Sequence, residues 1–174
     1  LASEKQIDFS LKLPPHETEG WIDRKKLSTI LDNLLSNSIK YTPKHGNVLL
    51  KLTITKEKAI IEIVDDGIGI SNSEQSNLFK RFYRAENAAN STETGSGIGL
   101  LLTKRMVSLH KGHISFTSVE NMGTSFKIEI PISKDDYLDS EIISTKIVED
   151  ITTEEVEEDN NSKTKILLAE DNDD

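Results

Sequence analysis

Cysteine is absent from the chain, which excludes disulfides, thiolate metal sites and cysteine nucleophiles and is consistent with a reducing compartment. Aromatic residues are scarce, at 5% against 35% hydrophobic overall, so 174 residues are enough for one ordinary core and too few for two. No apolar run approaches the roughly 20 residues that a membrane-spanning helix requires. The first residues also lack the basic-then-apolar pattern of a signal peptide, and a soluble polypeptide is expected. A basic stripe is missing too. The net charge of −9 arises within residues 133–162, which hold 11 of the 30 acidic and only 2 of the 21 basic residues. Residues 1–132, with 17 basic and 15 acidic residues, are near neutral, so nucleic acid is not an expected partner.

What is present follows two periodicities. From Asp23, a plausible N-cap, apolar residues recur at Leu27, Ile30, Leu31, Leu34, Leu35 and Ile39, the spacing of one buried helical face. Thr42-Pro43 and Gly46 end that helix. Residues 48–55 and 59–64 are rich in β-branched side chains and separated by Lys56-Glu57-Lys58, which predicts an antiparallel hairpin. A short helix is expected over residues 74–83. Residues 85–97 have the small, polar, glycine-containing composition of a mobile loop, here a lid candidate. Ile98, Leu101, Leu102, Met106 and Leu109 mark another amphipathic helix, stopped near Gly112. Residues 114–119 and 125–130 form a second hairpin through Asn121-Met122-Gly123, and Pro131 closes the domain. This order predicts an α+β layer, a mixed, largely antiparallel sheet covered on one face by helices. Residues 1–132 form the domain. Residues 133–164 read as an acidic flexible linker, and residues 165–174 as the start of a further domain.

Four clusters could carry chemistry. Asn33 and Asn37 lie four residues apart on the first helix, with Lys40 and Tyr41 one turn on. Amide oxygens suit a hard cation already partly neutralised by phosphate, and Lys40 adds positive charge for the same anion. Such a pair can equally be a solvated helix face. Asp65-Asp66-Gly67-Ile68-Gly69-Ile70 follows a buried strand. An ionised Asp65 only accepts hydrogen bonds, so it suits an exocyclic amino group such as that of adenine. The plain alternative is a glycine-rich turn with an acidic shoulder. Gly95-Ser96-Gly97-Ile98-Gly99-Leu100 frees amide N–H groups just before a helix, where phosphate binds. Its spacing is not that of a P-loop, and a structural hinge is the alternative. Between these, Leu78-Phe79-Lys80-Arg81-Phe82-Tyr83-Arg84 could anchor the lid while Arg84 reaches phosphate, or be a simple amphipathic helix.

In this order the clusters resemble the N, G1, F and G2 boxes of the histidine-kinase ATPase domain, from the superfamily shared with DNA gyrase, MutL and heat-shock chaperones. The resemblance covers roughly residues 5–131 and implies the two-layer α/β sandwich called the Bergerat fold, binding ATP and Mg²⁺. Carried over by position, it implies Asn37 as metal ligand with Asn33 assisting, and Asp65 for the adenine amino group. Lys40 and Arg84 would meet the phosphates, which makes Asn33, Lys40 and Arg84 the catalytic set. Gly95, Gly97 and Gly99 would shape the lid end. Tyr41, Ile70 and Leu100 would line the base pocket, with Gly67, Gly69, Ile98 and Thr124 as further nucleotide contacts.

Hydrolysing relatives place a glutamate where Asn33 stands, and an amide cannot take a proton. The resemblance therefore implies phosphoryl transfer, to a histidine on an upstream dimerisation domain. None of His16, His45, His110 and His113 has that setting. His16-Glu17 is flanked by Pro14-Pro15 and Gly20-Trp21, a loop. This stretch is thus expected to bind ATP without completing autophosphorylation. His110-Lys111-Gly112 and Met122 depart from the family's usual residues, outside the boxes. Lys165-Ile166-Leu167-Leu168-Ala169-Glu170-Asp171-Asn172 is similar to the opening strand of a receiver domain, which implies a hybrid kinase. The expected whole is a membrane-anchored homodimer with this part cytoplasmic, and the stretch alone a monomer. The alternatives are an ATPase conformational switch of the gyrase or chaperone type and a nucleotide-binding pseudokinase scaffold.

Overall fold

The structure, a computed structural model, describes residues 2–83 and 97–142. The elements follow the two periodicities. A single turn, α1 (Ala2–Lys5), precedes β1 (Asp8–Lys12). The long helix α2 (Arg24–Tyr41) follows, then the hairpin β2 (Asn47–Ile54) and β3 (Lys58–Asp65), and the turn α3 (Asn72–Gln75). Helix α4 (Gly99–Leu109) and the hairpin β4 (His113–Val119) and β5 (Gly123–Pro131) complete the layer.

Five strands lie in the order β1-β2-β3-β5-β4. Every neighbouring pair is antiparallel except β1 with β2, so the sheet is mixed and mostly antiparallel. Parallel strands need a long crossover, and α2 supplies it. Strict alternation sorts β3 and β5 into two faces. Ala59, Ile61 and Ile63 on β3 lie opposite Ile130, Ile128 and Phe126 on β5; all are buried, and all but Ala59 form one cluster with Ile30 and Leu34 of α2 and Val107 of α4. The other face pairs charges, with Lys51 on Glu62 at 2.8 Å and Lys127 on Glu129 at 2.7 Å. One face is therefore roofed by helices and the other is polar, as the patterning predicts.

The strand β1 goes beyond the two expected hairpins. Asp8, Ser10 and Lys12 alternate with Phe9 and Leu11, yet all five residues stay exposed on a strand that forms the edge of the sheet. The expected helix over 74–83 is a correction: α3 stops at Gln75. The chain continues in single turns, Asn77 N–H on the Glu74 carbonyl at 2.9 Å and Lys80 N–H on the Asn77 carbonyl at 2.8 Å. It reaches Phe82 in a left-handed conformation, φ 62°. That segment is shaped by tertiary contacts: Leu78 enters the core, Phe79 packs edge-on against Phe116 at 5.9 Å, and the Phe82 N–H donates to the Gly97 carbonyl at 3.0 Å.

Beyond Pro131 the chain does not leave the domain at once. Residues 134–136 and 139–141 form two 3₁₀ turns, the first closed by reciprocal bonds between Ser133 and the Asp135–Asp136 pair. Tyr137 places its hydroxyl 2.9 Å from the Pro131 carbonyl and 3.2 Å from the His110 carbonyl. The first ten residues of the segment read as linker thus pack on the layer. The lid candidate and residues 143–174 lie outside the described residues.

Candidate functional site

The site grows from the end of β3. The β3–β5 register sets Asp65 opposite Thr124 on the helix-covered face, one step past the apolar row Ile61-Ile63. Asp65 is only 8% exposed, and three donors meet its carboxylate. The Gly67 and Thr124 backbone N–H groups donate to Oδ1 at 3.1 and 3.2 Å, and the Ser38 hydroxyl donates to Oδ2 at 2.9 Å. Burial pushes the Asp65 carboxyl above its ordinary pKa. The bonds from Ser38, Gly67 and Thr124 pull it back, and the charge of Asp66 adds to the rise. Asp66 turns the other way: slight burial raises it, but the side-chain and backbone bonds from Asn47 outweigh that and hold it below the usual value.

Two glycines make this corner possible. A Cβ on Gly67 would lie 2.7 Å from the Tyr41 carbonyl oxygen and 2.8 Å from Asp65 Oδ1. Gly69, at φ +62°, brings its backbone so close to the Val119 carbonyl that a Cβ would sit 2.0 Å from it. The Ile68 N–H donates to the Tyr41 carbonyl at 3.1 Å, so the turn is fastened to the last residue of α2. Ser118 fastens its far side, accepting from the Ile70 N–H at 2.9 Å and contacting the Thr124 hydroxyl at 2.9 Å.

Along α2, a second contact brings in the glycine segment. A Cβ on Gly99 would meet the Asn33 amide oxygen at 3.1 Å, so Asn33 lies against the first residue of α4. Its Nδ2 is buried with no hydrogen-bond partner among the described residues. Gly97, at φ +67°, nests against Phe82 and Tyr83. One helix thus joins both glycine turns, with Asn33 at Gly99, Ser38 at Asp65 and Tyr41 at Gly67. Asn37, half-buried, precedes Ser38. Lys40 lies over the Tyr41 ring, 5.2 Å from its centroid. Ile70 and Leu100 are half-buried against the core, and Ile98 is exposed. Arg84 and Gly95 lie outside the described residues.

The sequence reading missed Ser38, Ser118 and Gly123. Ser38 carried a signal, a polar residue in the row Ile30-Leu34-Ser38 where the helix is otherwise apolar. Gly123 sits in a hairpin turn, but its role appears only in space: at φ +106°, a Cβ there would lie 2.0 Å from the Asp65 carbonyl oxygen. Ser118 carried no signal.

The donor set fits an adenine nucleotide. Asp65 retains an open acceptor position, and Asn33 holds an orphaned buried donor beside a helix N-terminus, where anions are favoured. Among the described residues no group of three His, Asp or Glu could cage a metal. A cation here would share amide oxygens with phosphate, as Mg²⁺ commonly does.

The family profile described as histidine kinase-, DNA gyrase B-, and HSP90-like ATPase matches residues 22–134. The chain belongs to that family. Over this stretch its relatives are named as histidine kinases. Histidine kinase P4 of Formosa agariphila is 38% identical over 79% of this chain and 10% of its own length. Hybrid signal transduction histidine kinase D of Dictyostelium discoideum is 31% identical over 87% of this chain and 10% of its own length. The chain thus spans about a tenth of these two relatives. Among solved structures, the mycobacterial sensor histidine kinase MprB superposes with a TM-score of 0.64 at 29% identity, over 75% of this chain and 88% of that one. Full-length ShkA in complex with AMPPNP gives a TM-score of 0.64 at 25% identity, over 76% of this chain and 27% of that one.

Proposed function

We propose that this domain binds Mg-ATP as the catalytic part of a hybrid sensor histidine kinase and presents the γ-phosphate to a histidine on a dimerisation domain. The carrying observation is the buried Asp65 carboxylate, joined through Ser38 to the helix that bears Asn33, Asn37 and Lys40. Asp65 accepts from the adenine amino group. Tyr41, Ile70 and Leu100 border the base, with Gly67, Gly69, Ile98 and Thr124 shaping the approach. Asn37, with Asn33 beside it, holds Mg²⁺, and Asn33 also offers its N–H groups to a phosphate oxygen. Lys40 and Arg84 neutralise phosphate charge, and Gly95, Gly97 and Gly99 let the chain close on the anion.

The bound metal would neutralise charge on the phosphates. The domain's own residues hold the triphosphate in place, and positioning supplies most of the catalysis. An imidazole nitrogen from the partner domain forms the new N–P bond as the bond from the γ-phosphorus to the bridging oxygen breaks, leaving ADP. Asn33 disfavours the hydrolytic switch, because an amide cannot take the proton of an attacking water. From the histidine, the phosphoryl group passes to a receiver aspartate. The sequence Lys165 to Asn172, with Glu170 and Asp171, resembles the opening of a receiver domain and supports one following residues 133–164, and the Dictyostelium relative is itself named hybrid. Among the described residues no helix is long and apolar enough to cross a membrane. The domain works on the cytoplasmic side, where ATP is supplied, within a homodimer anchored elsewhere.

The test is phosphotransfer from labelled ATP to a separately supplied histidine-containing dimerisation domain. The natural chain should label it, and Asn37→Ala should not. Asp65→Ala should weaken ATP binding by about 1–3 kcal/mol, measured by calorimetry, since adenine loses a charged acceptor. Absence of label with the natural chain, despite ATP binding, would leave a nucleotide-binding scaffold.

A further inference from the structure

We propose that Ser38 sets the base selectivity of the site, by holding Asp65 so that only hydrogen-bond acceptors face the purine edge. The proposal rests on the assignment of the purine 6-position to Asp65 and adds the group that makes that contact selective.

A carboxylate offers about four lone-pair sites. Gly67 and Thr124 take two on Oδ1, and Ser38 takes one on Oδ2. Oδ1 is filled by those two N–H groups, with Gly67 so near that a Cβ there would lie 2.8 Å from it, so the acceptor capacity left for a ligand is on Oδ2. Ser38 is 2% exposed and spends its single hydroxyl proton on Asp65. Its oxygen then has lone pairs only to show. Both atoms at this corner are acceptors, which suits the N–H of a 6-amino purine. A 6-oxo purine would meet them oxygen to oxygen, and an unmatched buried polar contact is a stronger discriminator than shape.

The same bond guards the charge. Burial favours the protonated carboxyl, and the Ser38 hydroxyl opposes it. Around Asp65, α2 contributes Ser38, the turn Gly67 and β5 Thr124, all without charge. The charged group acting on it among the described residues is Asp66, which pushes toward protonation. Without Ser38 the carboxyl would hold its proton to higher pH. A protonated Oδ2 is a donor and would admit a 6-oxo group.

The experiment measures calorimetric affinity for ATP and for inosine triphosphate, which carries an oxo group at position 6, from acid to neutral pH. The natural chain is compared with Ser38→Ala, Ser38→Thr and Asp65→Asn, each checked for a cooperative thermal transition. The natural chain should prefer ATP, and the preference should fade as pH falls. Ser38→Ala should lose about ten- to hundredfold of it at neutral pH, a charge-assisted hydrogen bond being at stake, and its acid limb should move to higher pH. Ser38→Thr, which keeps the hydroxyl, should restore both. A folded Ser38→Ala with the natural ratio and acid limb overturns the proposal, as does an equal loss for both nucleotides with the limb unmoved. If instead the natural chain has no preference, or Asp65→Asn leaves the preference intact, the adenine assignment fails and this inference with it.

Discussion

At the scale of single residues, the buried Asp65 carboxylate costs stability when ionised. Burial first, and then the neighbouring Asp66 charge, raise its pKa above the ordinary 3.8 against the bonds from Ser38, Gly67 and Thr124. A raised carboxyl stabilises the fold fully below the ordinary value, and that contribution is lost as pH rises through the folded value. Asp65→Asn removes this loss. An amide keeps an acceptor for Gly67 and Thr124 and can donate to the Ser38 oxygen. The nucleotide-free Asp65→Asn protein should therefore gain thermal stability over the natural one from acid to neutral pH, read as a widening difference between melting temperatures. A flat difference would mean that the carboxylate is fully compensated. Gly123→Ala goes the other way. Its φ of +106° and the 2.0 Å approach to the Asp65 carbonyl predict a loss of at least about 2 kcal/mol, measurable by urea denaturation. Asp65 was legible because a carboxylate at a glycine-marked strand end stands out locally. Ser118 and Gly123 were not, since the contacts that tie them to the site, with Ile70 and with Asp65, lie far away in sequence.

At the scale of elements, α2 organises the site, and both of its ends are tied down. Asp23 caps the start, accepting from the Lys26 N–H at 2.9 Å. Its own N–H donates to His110 Nε2 at 3.2 Å. That leaves the proton on Nδ1, which donates to the Met106 carbonyl at 2.8 Å. The first turn of α2 is thereby joined to the end of α4. At the other end, Lys5 donates to the carbonyls of Ile39, Lys40 and Thr42, a cation placed where the helix dipole is negative. Burial raises the Asp23 pKa, but the bonds and charge from Lys26 outweigh it and the net shift is downward. The cap's contribution is thus present above the ordinary value and lost as pH falls through the folded one. Asp23→Ala should cost about 1 kcal/mol at neutral pH and less in acid, as denaturation curves at both would register. The phase of α2 was legible from Leu27 to Ile39, because a helix repeats within a few residues. Residues 76–83 misled for the same reason. Their composition is helical, but burial of Leu78, the ring of Phe116 and the Gly97 carbonyl decide their path.

At the scale of the whole molecule, the folded unit extends past Ile132. Tyr137 is half-buried, and burial, followed by the charges of Asp136 and Glu141, pushes its hydroxyl up to about 12. It stays protonated through neutral pH and can donate to a carbonyl. Lys111 reaches Glu141 at 2.7 Å and adds little, being exposed. Tyr137→Phe should cost about 1 kcal/mol in a thermal scan. A chain ending after Ile132 should melt below one ending after Ile142, and equal midpoints would put the boundary at Ile132 instead. The acidic composition of residues 133–162 hid this tuck, because a lone tyrosine among charges gives no period to read.

The amino-acid sequence by itself determined the two hairpins and the faces of α2 and α4, and it singled out Asn33, Asp65, Gly67 and Gly69 as candidates, all of which rest on spacings of two to four positions or on distinctive side chains. Tertiary structure decided where β1 joins the sheet, how residues 76–83 turn, and that Ser38, Thr124 and Gly67 meet on one carboxylate. Those outcomes depend on closing the chain over tens of residues, and a local repeat carries no information about which distant backbone will arrive to complete a buried hydrogen bond.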